Sequence, residues 1–383
     1  MLSIGREGKM QIPARDLSVL KTNQSGIRMP VEITKRDYSL IGREAKLAEE
    51  RGLANAEWYA CKIPRSRLKE LMQRRDGPAI RDTLLWFAAL IISGTLGYLT
   101  WHTWWTVPCF LVYGVLYGSA SGPRWHEAGH GTAFKTPWMN IALYEIGSFM
   151  YIFESVPSRW SHTRHHTDTI IVGRDPEIPA PRPPDLLGIA LDVFNLKRLR
   201  TEFTEILRHS FGRLTPAEET YIPDQERHKV YRNARIYILI YAAVIALAVA
   251  TRSILPLMYV GLAAVYGGWL MDIFSLTQHA GLAEDILDHR LNTRTIYMNP
   301  IFRFIYWEMN YHIEHHMFPM VPYHALGKLH QELRADMPKP YSGLWEAYRE
   351  IIPTLIRELK DPTYFVRREL PSTAQPVSSL EPA

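Results

Sequence analysis

Apolar and polar positions are sharply segregated along the chain. Residues 1–82 are polar, with 17 Lys/Arg against 11 Asp/Glu, and hold no apolar run of the kind a secretory leader needs. The stretch from Thr83 to Trp101 then runs 19 residues without a charge. As a helix it would be roughly 28 Å long, close to the ~30 Å hydrocarbon thickness of a bilayer. A second uncharged run, Trp104 to Gly122, follows after a link at His102 and Thr103 that is short enough to demand a tight helical hairpin. Gly118, Gly122 and Pro123 are expected to end that second helix. Ile236 to Thr251 and Ile254 to Met271, up to Asp272, form a second pair of apolar runs around a short link at Arg252 and Ser253.

The pattern therefore predicts an all-α integral membrane protein with four transmembrane helices in two hairpins, at about 83–101, 104–122, 236–251 and 254–272. Trp138 to Val156 is apolar but interrupted by Glu145 and Glu154, which predicts an interfacial or re-entrant helix. Gly173 to Asp185 is proline-rich and must be a loop, and Leu186 to Leu214 reads as an amphipathic helix lying on the membrane surface or capping the site. Three regions follow: a polar extension over 1–82, a membrane domain over 83–370 with a helical cap, and a Pro/Ser-rich flexible tail over 371–383.

Charge sets the expected orientation. The first hairpin tip carries no Lys or Arg and the second only Arg252, whereas the long polar segments are basic. By the positive-inside rule the termini and the cap are expected on the cytoplasmic side of a bacterial inner membrane. The net charge of +5 is modest for 383 residues and suits anionic lipid or an acidic partner protein better than nucleic acid. With 47% apolar residues, 11 Trp and 20 Tyr, the chain is not of a disordered class. Two cysteines far apart, Cys61 and Cys109, exclude a disulfide framework and any cysteine-ligated cluster.

The chemistry lies in the histidines. Of 15, eight fall into three boxes: His126-Glu-Ala-Gly-His130, His162-Thr-Arg-His165-His166 and His312-Ile-Glu-His315-His316. His279 follows Gln278 at the end of the fourth apolar run. On a helix, positions i and i+4 are about 40° apart and i and i+3 about 60°, so each box gathers its rings toward one side. Imidazole suits Zn, Cu, Fe and Ni. Nine imidazoles exceed what one ion uses and fit two metals with about four or five nitrogens each.

HEAGH is also a literal HExxH string, so a membrane zinc protease with Glu127 as general base is a rival on that motif alone. Two further HxxHH boxes have no use in such a protease. Glu127 and Glu314 are otherwise read as acceptors for ligand N–H groups or as solvated helix residues. His102, His209, His228, His289, His324 and His330 are read as surface residues.

The three boxes, with apolar hairpins before the first and between the second and third, resemble the membrane fatty acid desaturase superfamily, which includes membrane hydroxylases. DPE after the second box, TQHAG, and NYHIEHHMFPMVPYH strengthen the likeness, which covers about residues 80–340. Bacterial members with similar box contexts include acyl desaturases, the dihydrorhizobitoxine desaturase and the oxygenase of rhizopine catabolism. The resemblance implies two irons held by His126, His130, His162, His165, His166, His312, His315 and His316, with His279 as an additional ligand, and O2 as co-substrate. It implies desaturation of a C–C bond in a fatty acyl chain or similar aliphatic substrate. Hydroxylation or oxidative demethylation of a small polar metabolite is the alternative, and a non-catalytic metal-binding membrane protein the remote one. The chain carries no HPGG haem string, no CxxC and no Gly-rich dinucleotide fingerprint in a βαβ context, so a ferredoxin-type carrier and its reductase are expected to act in trans. The basic stretches Lys197–Arg213 and Arg227–Arg235 are the expected docking or lipid-contacting segments.

Overall fold

The computed structural model describes residues 36–375; residues 1–35 and 376–383, the outer parts of the predicted extension and tail, lie outside the described residues. Among the described residues there is no β-strand, only isolated bridges pairing Thr295 with Tyr311 and Ile296 with Tyr341. The chain is all-α, in line with the expected class.

Residues 36–82 pack onto the rest of the protein. They form α1 (Arg43–Glu50) and α2 (Arg65–Leu71); Cys61, between the two, and Leu71, at the end of α2, enter the main core. Tyr59 hydrogen-bonds Asp336, and Trp58 stacks flat on His289 with ring centroids 4.2 Å apart.

The first apolar run forms the long helix α3 (Asp76–Leu99). Its Leu84, Ile91 and Leu99 are 63–71% exposed. The third run forms the second half of a helix over Asp224–Thr251, and this region and Arg65–Leu99 are long and apolar enough to cross a membrane.

The other two predicted spans are not simple helices. The second begins as α4 (Thr106–Gly114), widens into a π turn over Val115–Ser119, and resumes as α5 (Ser121–Gly129). Gly118, Gly122 and Pro123 therefore do not end the helix. Pro123 sits in the first turn of α5, where its missing N–H leaves no hydrogen bond unmade. The nearly continuous run carries His126 directly from the apolar layer into the site. A π turn re-aims everything after it, and such turns are common at functional sites.

After the αα turn, α6 (Pro137–Tyr151) packs closely on α5 and ends at Ile152, which has a left-handed φ of 59°. This is the predicted 138–156 helix. α7 (Ser155–Thr167) carries the whole second box. The expected surface helix at 186–214 is split into α8 (Leu186–Asp192) and α9 (Leu196–Ser210), with Asn195 at φ 55° between them. Their outer apolar side chains stay exposed: Leu187 71%, Phe194 65%, Leu207 54%.

α10 (Asp224–Thr251) starts in polar sequence and runs into the third apolar stretch. The fourth stretch is broken into α11 (Leu255–Tyr259), α12 (Leu262–Gly267) and α13 (Trp269–His279), with Gly261 at φ 89° making the first break. α12 lies against α4 and the π turn through bare backbone. A Cβ on Gly267 would fall 1.9 Å from the Gly114 carbonyl carbon, and one on Gly118 would fall 2.8 Å from Gly268 N. Ser119 Oγ donates to Gly267 O (2.6 Å) and accepts from Met271 N (3.0 Å), locking the two segments.

The rest of the described chain is a series of shorter helices: α14 (His289–Asn292), α15 (Pro300–Tyr306), α16 (His312–Met317), α17 (Tyr323–Leu333) and α18 (Leu344–Glu358). The core between these and the apolar helices is aromatic, with Trp86, Trp307, Tyr306 and Phe274 all nearly fully buried.

Candidate metal centre and adjoining cavity

Three helices and the end of a fourth deliver nine histidines to one place. α5 supplies His126 and, at its C-cap, His130; α7 supplies His162, His165 and His166; α13 ends in His279; α16 supplies His312, His315 and His316. The rings sort into two groups, each with its nitrogen atoms within 4.8 Å of one another: His126, His130, His162, His166 and His315 in one, and His165, His279, His312 and His316 in the other.

Helical geometry produces this split. In α7 the i, i+4 pair His162 and His166 faces the first group, while His165, about 60° away from His162, faces the second. In α16 the assignment is reversed: the i, i+4 pair His312 and His316 faces the second group and His315 the first. Each HxxHH box thus serves both groups, and the groups touch where His166 stacks on His316 at 4.3 Å.

The spacing is that of ligands around ions. His162 Nε2 lies 3.2 Å from His130 Nε2 and 3.1 Å from His166 Nε2, and the Nε2 atoms of His312 and His316 are 3.1 Å apart. Imidazole nitrogens at about 2.1 Å from a metal sit about 3.0 Å apart at a right angle and about 3.4 Å apart at a tetrahedral one. Several inward nitrogens have no hydrogen-bond partner despite burial, among them His279 Nε2 and both nitrogens of His315. Buried polar atoms without partners are costly, and a metal ion on the inner side would satisfy them. The donor set is borderline nitrogen without thiolate, suited to first-row transition metals. The residues present fit two such ions.

The outer nitrogens are oriented by the protein. His165 Nδ1 donates to Asp175 (2.9 Å), His162 Nδ1 to Glu177 (3.0 Å), and His279 Nδ1 to the Asn292 carbonyl (2.9 Å). A carboxylate or carbonyl can only accept, so the proton sits on Nδ1 and Nε2 is left free to ligate. Thr169 Oγ gives its proton to the His165 carbonyl and so accepts from His316 Nδ1 (3.2 Å). Burial, reinforced by neighbouring imidazoles, holds His126, His130, His166, His279, His312, His315 and His316 well below the usual histidine range, in the neutral form that ligates. For Glu177 burial works upward, but the His162 ring outweighs it and brings the carboxyl down to about 2.

The acceptors are therefore Asp175 and Glu177, in the DPE string of the proline-rich loop, rather than Glu127 and Glu314. Both of those are fully buried, which also excludes the solvated reading. Glu127 accepts from Thr132 Oγ (2.7 Å) and Tyr323 N (3.0 Å); Glu314 accepts from Thr295 Oγ (2.6 Å) and pairs with His330. Three histidines read as surface residues are buried as well. His330 joins Glu314, His209 lies between Glu154 and Glu218, and His289 packs between Trp58 and His316. His102 and His228 are exposed as expected, and His324 is half-buried.

A cavity of about 680 Å³ opens against both histidine groups, touching His126, His162, His165, His279 and His312. It is lined by Trp125, Tyr151 and Phe153, by Arg198 and Glu202 of α9, and by Asp272 and Gln278 of α13. In keeping with the capping alternative for 186–214, Arg198, Glu202 and Glu205 of α9 line the cavity, while Arg200 on the other side of the helix is exposed.

Fold and site together define an all-α protein with apolar helices of membrane-crossing length and a nine-histidine centre beside a cavity. The family model for fatty acid desaturase matches residues 99–348. The chain belongs to that family. It is also similar to the Delta(5) fatty acid desaturase fat-4 of Caenorhabditis elegans, with 26% identity over 294 residues, covering 66% of this chain and 65% of that protein.

Proposed function

We propose that this chain is a membrane-bound oxidoreductase that holds two irons and uses O2 and two electrons to desaturate an aliphatic C–C bond. The observation that carries this is the five-and-four grouping of nine imidazoles, five of which line the cavity. Family membership supports iron as the metal and desaturation as the reaction type. Bound iron would supply the O2 activation and oxidising power needed to take hydrogen from an unactivated C–H bond, which no side chain can provide. His126, His130, His162, His166 and His315 would hold one ion and His165, His279, His312 and His316 the other.

The chain's own residues do the rest. Asp175 and Glu177 fix the ring orientation and tautomer of His165 and His162. Trp125, Tyr151 and Phe153 in the lining exclude water from the cavity at the histidine groups. Polar groups on α9 and α13 hold the substrate so that one C–H bond faces the histidine groups. Exposed apolar residues on α3, α8, α9 and α10 support seating in a bilayer, with α8 and α9 lying at its surface. We place the cap and both termini on the cytoplasmic side, where a ferredoxin-type carrier with its reductase would supply electrons.

The half-polar cavity lining favours a second reading, hydroxylation or oxidative demethylation of a polar substrate. Turnover under ¹⁸O2 separates the two, because only oxygen insertion leaves label in the organic product; an unlabelled alkene is the result expected here. The protease reading lacks its base: Glu127 is held by Thr132 and Tyr323 and does not line the cavity.

A further inference from the structure

Six carboxylates line the cavity, Glu154, Glu177, Asp192, Glu202, Glu205 and Asp272, against two permanent cations, Lys197 and Arg198. Glu177 is committed to His162 and Ser161. Lys197 reaches outward to Asp185 at 3.4 Å, and its side chain is half-exposed. Arg198 is turned onto the aromatic wall, with its guanidinium 3.5 Å from the Tyr151 ring centroid and 4.6 Å from that of Phe153, and it donates to the Tyr151 carbonyl. Among the described residues, neither Glu202 nor Asp272 has an ion-pair or side-chain hydrogen-bond partner. Asp272 Oδ2 is buried without one; Glu154, only 3% exposed, pairs with His209 through Oε1 and leaves Oε2 without a partner.

Resting on the reading of this cavity as the substrate site, we propose that it selects a compact aliphatic substrate bearing an ammonium group, rather than a fatty acyl chain with an anionic headgroup. Carboxylate oxygens shut off from water without a partner, as at Asp272 Oδ2 and Glu154 Oε2, cost free energy that a cation repays and a run of methylenes does not. An anionic headgroup would add like-charge repulsion. Aromatic faces attract cations, and the guanidinium of Arg198 resting on Tyr151 and Phe153 shows that this wall already accommodates one. Burial raises the Glu202 carboxyl to about 8, with Arg198 opposing, so the empty site under-uses the charge that an ammonium would stabilise. Gln278, Ser275 and Thr201 supply further polar contacts around the same volume.

The test uses the detergent-purified full chain, titrated calorimetrically with three six-carbon probes: n-hexylammonium, n-hexanol and hexanoate. The expected order is hexylammonium tightest, by about tenfold over hexanoate. Glu202→Gln and, separately, Asp272→Asn should each lower hexylammonium affinity several-fold without changing hexanol binding. Hexanoate binding as tightly as hexylammonium, or hexylammonium affinity untouched in a variant that melts like wild type, overturns the proposal. If a variant does not fold, the order of the three probes on the wild-type chain decides alone. Iron content measured on the same preparation keeps the two readings apart. A chain that prefers hexylammonium but holds no iron removes the di-iron reading and leaves the substrate class standing. A chain with two irons that prefers hexanoate does the reverse.

Discussion

His165 and His162 each hand a proton to a carboxylate of the same short loop, Asp175 and Glu177. Outer partners of this kind typically change metal affinity by about 10–100-fold when removed. Asp175→Asn and Glu177→Gln should therefore lose metal to a chelator at concentrations the wild type resists, while keeping the wild-type helical circular dichroism. Equal metal retention would show that these carboxylates do not support ligation. A second residue-scale prediction concerns His209, buried between Glu154 and Glu218. Burial opposes its charge, but the two carboxylates outweigh burial and raise it to about 9; hydrogen bonds from His209 and Thr215 likewise overcome burial at Glu218 and hold it at about 2. His209 is raised, so its contribution to stability is complete below its ordinary value of 6.5 and is lost as pH climbs toward 9. Glu218 is lowered, so its contribution is present above 4.5 and is lost as pH falls toward 2. The melting temperature of the wild type should fall between pH 6.5 and 9 relative to His209→Gln; parallel curves would contradict the assignment. Eight of the nine inner histidines were legible because HxxxH and HxxHH spacing has little use on a surface; the ninth, His279, stands alone after Gln278 and was legible only through the family resemblance. His209, His289 and His330 were not, because the neighbouring charges that suggested solvent, such as Arg208 and Arg290, are themselves paired with Glu218, Asp288 and Asp336.

At the scale of elements, the close approach of α12 to α4 is made by glycine. Gly267→Val would drive a side chain into the Gly114 carbonyl. Overpacking in a tight core costs about 1–3 kcal/mol, and here the clash is with backbone, so a lower melting temperature and reduced folded yield are expected. Gly77→Ala, which meets nothing within 4 Å, serves as the control and should be neutral. If Gly267→Val melted with the wild type, the two segments would not pack as described. Hydropathy identified all four apolar runs but represented each as a rod. It carries no information on chain direction, so the π turn at Val115–Ser119 and the breaks at Gly261 and Gly268 were invisible to it. The same applies to 186–214, where amphipathic periodicity on both sides concealed the left-handed residue Asn195.

At the scale of the whole molecule, the proposed membrane seating fixes which segments face the cytoplasm. Reporter fusions after Pro78 and after Pro371 should read cytoplasmic and one at His102 periplasmic, because the basic segments flank the cap and the hairpin tips lack them. A periplasmic signal from either of the first two would invert the proposed topology. The carrier surface needs revision on structural grounds. Arg198 faces the cavity wall and is not available to a partner, whereas Arg200 is exposed. Arg200→Glu should raise the carrier concentration needed for half-maximal rate most strongly at low salt, since screening shortens from about 10 Å at 0.1 M to about 3 Å at 1 M. No change in carrier dependence would move the docking surface elsewhere.

In the proposed enzyme, nine imidazoles hold two irons in groups of five and four. Metal analysis of the purified chain tests it most directly, on the wild type and on one variant from each group, His315→Ala and His165→Ala. About two irons per chain in the wild type, a reduced content in each variant, and no turnover in either are predicted. A single stoichiometric zinc, with iron absent and activity intact in His315→Ala, would contradict it.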